Sequence, residues 1–155
     1  MKVMSNRGLT TALAAVGAAQ LLKLPWHYCK TGKWDVRKLA GSGGMPSSHS
    51  SGVSALAAYT AAKHGVRTPE FAIASMLGII VMYDAMNIRR HAGEIAIQVN
   101  DLDADVERLA GHHPGIYHKR RKEQLKETLG HHPGEVAAGA VLGVLIGLAG
   151  AAWGR

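Results

Sequence analysis

The run EVAAGAVLGVLIGLAGAAW, Glu135 to Trp153, limits what this chain can become more than any other stretch. It carries no charge after Glu135 and comes close to the roughly 20 residues an α-helix needs to span a bilayer core. It therefore predicts a membrane helix. Gly139, Gly143 and Gly147 recur every four residues, so they share one helix face and let another helix approach closely. The neighbour is either within the chain or in a second subunit. In the second case the glycine face is a homo-oligomer contact.

Three further segments fit the same architecture. Gly8 to Trp26 is nearly as long and is interrupted only by Thr10, Thr11, Gln20 and Lys23. Its basic start resembles a signal peptide, but no small-residue cleavage site precedes Lys23, so it reads as a retained helix. Pro46 to His64 reads as an Ala- and Ser-rich helix ended by Gly65 and Pro69. Glu70 to Ile88 has an apolar centre with Asp84 and Asn87 at its end. Hydrophobic residues make up 47% of the chain, but the aromatic share is 5%, which suits close-packed helices with small residues at their contacts. The chain is thus expected to be an all-α integral membrane bundle of about four transmembrane helices, with amphipathic helices on the cytosolic side. Residues 1–155 are expected to form one domain.

The connections carry the charge. Lys30, Lys33, Arg37 and Lys38 alternate with Trp26, Tyr28 and Trp34, as at a membrane–water interface. Ile95, Val99, Leu102, Val106 and Leu109 recur at spacings of three and four, which predicts an amphipathic helix on the membrane surface or on the cytosolic end of the bundle. Asp101, Asp103 and Asp105 begin like a calcium loop, but the sixth position, which needs glycine, is Val106. A solvated helix face accounts for them better. Lys119 to Lys122 is a short basic patch suited to anionic headgroups. With four spans, most lysines and arginines fall on one side, which the positive-inside rule places in the cytosol of a multi-pass cell-membrane protein. The net charge of +7 suits anionic partners such as nucleic acid, anionic lipid or a phosphorylated substrate. The lone Cys29 excludes an intrachain disulfide.

Three stretches on the crowded side carry chemistry. Gly43 to Ser50 reads GGMPSSHS. Its glycines permit a tight turn and close approach to a ligand. Ser47, Ser48 and the first-turn amides offer donors to an anion, and His49 can move a proton near neutral pH. Asp84 at the edge of an apolar run calls for a partner, and Arg89 and Arg90 follow it. The pair is either part of a site or a structural ion pair. Gln20 and Lys23 share a helix face, where Lys23 either snorkels to the interface or binds an anion. The sequence Gly-His-His-Pro-Gly occurs at 111–115 and again at 130–134. Histidine pairs suit zinc, yet no acid or thiol stands at a matching spacing, so no metal site is assigned. In the second copy His131 stands four residues before Glu135. A carboxylate there can hold one ring nitrogen and leave the other free to attack.

These three stretches, together with Gln20 and Lys23, resemble the divergent type 2 phosphatidic acid phosphatase family, related to acid phosphatases and vanadium haloperoxidases. The resemblance covers nearly the whole chain. It implies a membrane phosphatase acting on a lipid or isoprenoid phosphate monoester through a phosphohistidine, without metal or other cofactor, with membrane lipids and not nucleic acid around it. His131 is then the nucleophile, Glu135 its orienter and His49 the acid for the leaving oxygen, with Asp84 joining the catalytic group. Lys23, Gly44, Ser47, Ser48 and Arg89 or Arg90 hold phosphate. The chain departs from the wider superfamily in three places. The middle motif reads Pro-Ser-Ser-His. Lys30 and Arg37 match the first motif's spacing, but Lys38 replaces its proline, so Lys23 competes for that role. The third motif is split, with Arg90 about forty residues before His131 and Glu in place of Asp. A non-catalytic protein that binds anionic headgroups in a degenerate phosphate pocket is the alternative.

Overall fold

The computed structural model describes residues 6–39, 43–112, 124–127 and 129–153. All the regular structure among them is helical: α1 (Arg7–Thr31), a short 3-10 turn (Val36–Leu39), α2 (Ser48–His64), α3 (Pro69–Met86), α4 (Ile88–His112) and α5 (Pro133–Trp153). Two helical stretches are long and apolar enough to cross a membrane, Pro69–His112 and Pro133–Trp153. In the first, the apolar part is α3, since α4 is amphipathic and polar on average.

Local chemistry sets the helix ends. Asn6 caps α1 by accepting from the Leu9 amide at 3.0 Å. The helix runs five residues beyond the expected stop at Trp26, because Pro25 is tolerated inside it and the first available left-handed stop is Gly32. Gly32 has φ +68° and donates its N–H to the Tyr28 carbonyl, the usual way for a helix to end. Ser47, rather than Pro46, opens α2: its Oγ accepts from the Ser50 amide, and Pro46 lies outside the helix. Thr68 caps α3 ahead of Pro69. Only Asn87 separates α3 from α4, and backbone bonds Asn87 N to Tyr83 O and His91 N to Asn87 O bracket that break.

The core is thin in large side chains. Among the described residues, the buried apolar side chains are almost all alanines, including Ala15, Ala19 and Ala55, with Tyr59 the one aromatic. Helices therefore approach through backbone. The neighbour of the glycine face lies within the chain: Gly139, Gly143 and Gly147 are buried against the backbone of Ser47, Ser51 and Ala55 on α2. That face is used up inside the bundle, so it is not a surface for a second subunit. Buried serines add hydrogen bonds between α2 and α1 and within the start of α2. Ser51 Oγ donates to the Ala15 carbonyl of α1 at 3.1 Å, and Ser50 Oγ donates to Ser47 Oγ at 3.0 Å. Leu13, Leu21, Ile79, Val141 and Leu145 point outward, as lipid-facing side chains do.

A Cβ at Gly143 meets the Ser51 carbonyl and backbone, which cannot swing away as a side chain does. Gly143→Ala is therefore expected to destabilise the bundle by about 1–3 kcal/mol, the usual range for overpacking. A thermal melt of the purified protein in detergent checks this, with Gly17→Ala as control, since Gly17 has open space around it.

Candidate phosphate site

The site is built where α5 begins. Glu135 is the third residue of α5, where the helix dipole favours a carboxylate. Its Oε2 lies 2.9 Å from Nδ1 of His131 and also accepts from the His132 amide at 3.3 Å. A carboxylate on Nδ1 fixes that nitrogen as the proton carrier and leaves Nε2 with its lone pair. The His131 side chain is 1% exposed, and its Nε2 is buried without a hydrogen-bond partner among the described residues. A buried polar atom left unpaired costs about 1–3 kcal/mol, so this nitrogen calls for a ligand. Gln20 Oε1 on α1 is the other such atom among them.

The backbone holds His131 as firmly as Glu135 holds its ring. The His131 amide donates to the Ala85 carbonyl at the end of α3, at 2.9 Å. Gly130 before it has φ +85° and lies so close to the backbone of Arg89 and Arg90 that a Cβ has no room. Both halves of the split third motif thus meet in space, although about forty residues separate them in sequence.

The first stretch meets them from α2. Ser47 N donates to the Glu135 carbonyl at 3.0 Å, tying the loop to the start of α5. The His49 ring lies edge-on to that of His131, with centroids 6.1 Å apart and planes at 66°. His49 is exposed while Ser47 and Ser48 are buried. Arg89, Lys23 and Asp84 lie within electrostatic reach of His49. Lys23 is 3% exposed and within electrostatic reach of Glu135. Lys30 and Arg37, the rivals for its role, are exposed, and Lys30 sits over the Trp26 ring at 5.7 Å. Gly44 is exposed in the loop before Pro46 and has φ +90°.

Both arginines face acids. Arg89 Nε is bonded to Asp84 Oδ2, and Arg90 Nε to Glu94 Oε1 at 3.1 Å. His91 Nδ1 contacts the other Glu94 oxygen, also at 3.1 Å. The bonds from His91 and Arg90 hold the Glu94 carboxyl below the usual carboxylate range. Exposed pairs of this kind are weakened by solvent screening, so an incoming anion can displace them. Glu94 was legible as a partner from its spacing of four from Arg90. Asn100 gave no such signal. Its side chain takes both backbone groups of Leu125, accepting from the amide and donating to the carbonyl at 3.0 Å each, and donates to Glu127 at 2.9 Å. Gly93 on the same helix lets the Glu127 and Leu129 carbonyls come close. The face of α4 carrying Gly93 and Asn100 therefore holds the segment that leads into His131. Arg90, Glu94, Ile97, Glu127, Leu129 and His132 line a cleft of about 240 Å³ there.

Among the described residues no three His, Cys, Asp or Glu side chains group as a metal site. The second His of the first Gly-His-His-Pro-Gly copy and the 119–122 basic run lie outside those residues.

The described residues form an all-helical bundle in which the buried His131, held by Glu135, faces His49 beside clustered cations. The chain belongs to the Divergent PAP2 family, whose profile matches residues 4–146. It is also similar to the "Uncharacterized membrane protein YuiD" of Bacillus subtilis (strain 168), with 39% identity over 151 residues, 96% of each chain. No solved structure matches the chain.

Asn100→Ala removes three hydrogen bonds from the segment before His131 and leaves the membrane helices untouched. It is expected to raise modification of His131 by diethyl pyrocarbonate, read by mass spectrometry, while the protein still purifies as a folded species.

Proposed function

We propose that the protein is a membrane phosphatase that hydrolyses a lipid or isoprenoid phosphate monoester through a phosphohistidine. The observation that carries this reading is the unpartnered Nε2 of His131, buried beside His49 and oriented by Glu135. Nε2 attacks phosphorus while Nδ1–H stays with Glu135. The P–O ester bond breaks, and His49 gives its proton to the departing alkoxide. Water then attacks the phosphohistidine, with His49 now taking a proton, and releases inorganic phosphate. The 6.1 Å between the two rings allows one phosphoryl group to touch both. Lys23 and the Ser48 region neutralise and hold the equatorial oxygens, joined by Arg89 and Arg90 once the anion draws them from Asp84 and Glu94. Each oriented donor of this kind contributes ~3 kcal/mol to transition-state binding.

The hydrocarbon part of the substrate has a place beside this centre. Leu22, Pro25, Trp26, Met45, Pro46 and Leu142 line an apolar cleft of about 350 Å³ between α1, the loop before α2, and α5. Leu22 adjoins Lys23, and Pro46 adjoins Ser47, so a chain in the cleft leads to the phosphate site. We take α1, α2, α3 and α5 as four spans. Lys23 and Pro25 in α1 and the serines of α2 keep those two less apolar than α3 and α5, and they face the site. The excess of basic residues around Lys30, Arg37, Arg89, Arg90 and Lys126 supports a cytosolic position for this end.

A second reading rests on the two arginine–carboxylate pairs, which leave the guanidinium groups engaged: the pocket binds anionic headgroups without turning them over. Purified protein in chelator, supplied with phosphatidic acid or an isoprenoid phosphate, decides between the two. The expected result is phosphate release, its loss in His131→Ala, and a fall of ~10²–10⁴-fold in His49→Ala, the usual contribution of a general acid. Vanadate binding without turnover on either ester establishes the second reading. Full activity in His131→Ala overturns the first.

A further inference from the structure

Among the described residues, the stripe on α4 foreseen from its spacing stays largely exposed, with Val106 half-buried. Ile88, Ile95, Leu102 and Leu109 are 54–63% exposed, and Val99 is 38% exposed. The face of α4 that holds Leu125, Glu127 and Leu129 is a separate one, through Gly93 and Asn100. Exposed large aliphatic side chains in a continuous row mark an interaction surface.

The row is ordered. Starting from Ile88, with Ala92 included, its steps are four, three, four, three, four and three residues through to Leu109. That is a strict heptad over three repeats: Ile, Ile, Leu and Leu at d, and Ala, Val and Val at a. In the last two repeats Val99 and Val106 at a stand with Leu102 and Leu109 at d, the combination that favours two parallel strands. The period is 3.5, not the broader 3.6 stripe of a helix resting on a flat surface. The flanks agree. The g-to-e′ neighbours across such a pair are His91 with Ala96, Gln98 with Asp103, and Asp105 with Ala110, so no two like charges are opposed. Glu94, Asp101, Glu107 and Arg108 fall away from the seam.

We propose that α4 is the dimer interface of this protein, pairing with α4 of a second copy as a short parallel coiled coil. Two copies inserted in the same topology send their α4 helices out of the same membrane face, each tethered at its N-terminal end to α3 through Asn87. The membrane thus sets the parallel orientation and concentrates the partners, which lets three heptads suffice. The pairing places two phosphate sites side by side, because the neighbouring α4 face carries the segment that leads into His131. The inference does not depend on the proposed activity.

Single cysteines test it in native membranes, in a Cys29→Ser background because Cys29 is exposed. Ile95→Cys, Leu102→Cys and Leu109→Cys probe the d positions. Asp101→Cys and Arg108→Cys probe the opposite side of the helix. With a short bis-maleimide linker, all three d positions are expected to give several-fold more covalent dimer than the two controls. Dimer at Leu102 alone means an antiparallel crossing and overturns the parallel pair. Equal cross-linking at the control positions, or none at the d positions, overturns the interface. In the last case, quenching of a label at Leu102 by a bilayer-dissolved nitroxide assigns the stripe to the lipid surface.

Discussion

Everything in this structure hangs on how closely α2 and α5 approach. With a core made largely of alanine, there are few large side chains whose burial could hold the helices together. Three glycines one turn apart remove the side-chain layer altogether, so that backbone meets backbone along nearly the whole contact. The same contact brings the first turn of α2 against the first turn of α5. Ser47 hydrogen-bonds the Glu135 carbonyl because the two helices have no other spacing available to them. The distance between His49 and His131 is thus set in part by a packing interface, with Ala85 and α4 holding the backbone before α5 in place.

Much of this was legible in the sequence, and the limits were physical. The glycine repeat announced a close helix contact, but a period of four says nothing about which helix answers it. The His131–Glu135 pair was readable because both ends of a one-turn interaction lie in one helix start. The extension of α1 past Trp26 was not, because a proline inside the helix looks the same in sequence as one that ends it. Asp84 and Arg89 were foreseen as partners from their adjacency at the end of an apolar run. The role of Asn100 left no trace, since its partners are backbone groups of Leu125, and a backbone group has no sequence identity.

Polar atoms are distributed here by function as well as by burial. Ser50 and Ser51 are fully buried and satisfied, tying α2 to itself and to α1. The His131 ring is equally buried and only half satisfied, one nitrogen held and the other bare. In a bundle this short of large apolar side chains, tolerating such an atom is costly, and the surrounding order is what keeps it in place.

The split of the third motif takes on another meaning once Asn100 is considered. The chain leaves the site at Arg90, travels out along α4, and is fastened back to that helix at Leu125 before it re-enters at Gly130. The excursion closes on itself, like a loop of thread knotted at its base. Residues added or lost beyond the knot leave the spacing between Arg90 and His131 unchanged. Arg90 and His131 can therefore lie about forty residues apart in sequence and still meet, because the returning chain is pinned to α4 at Asn100 and Gly93.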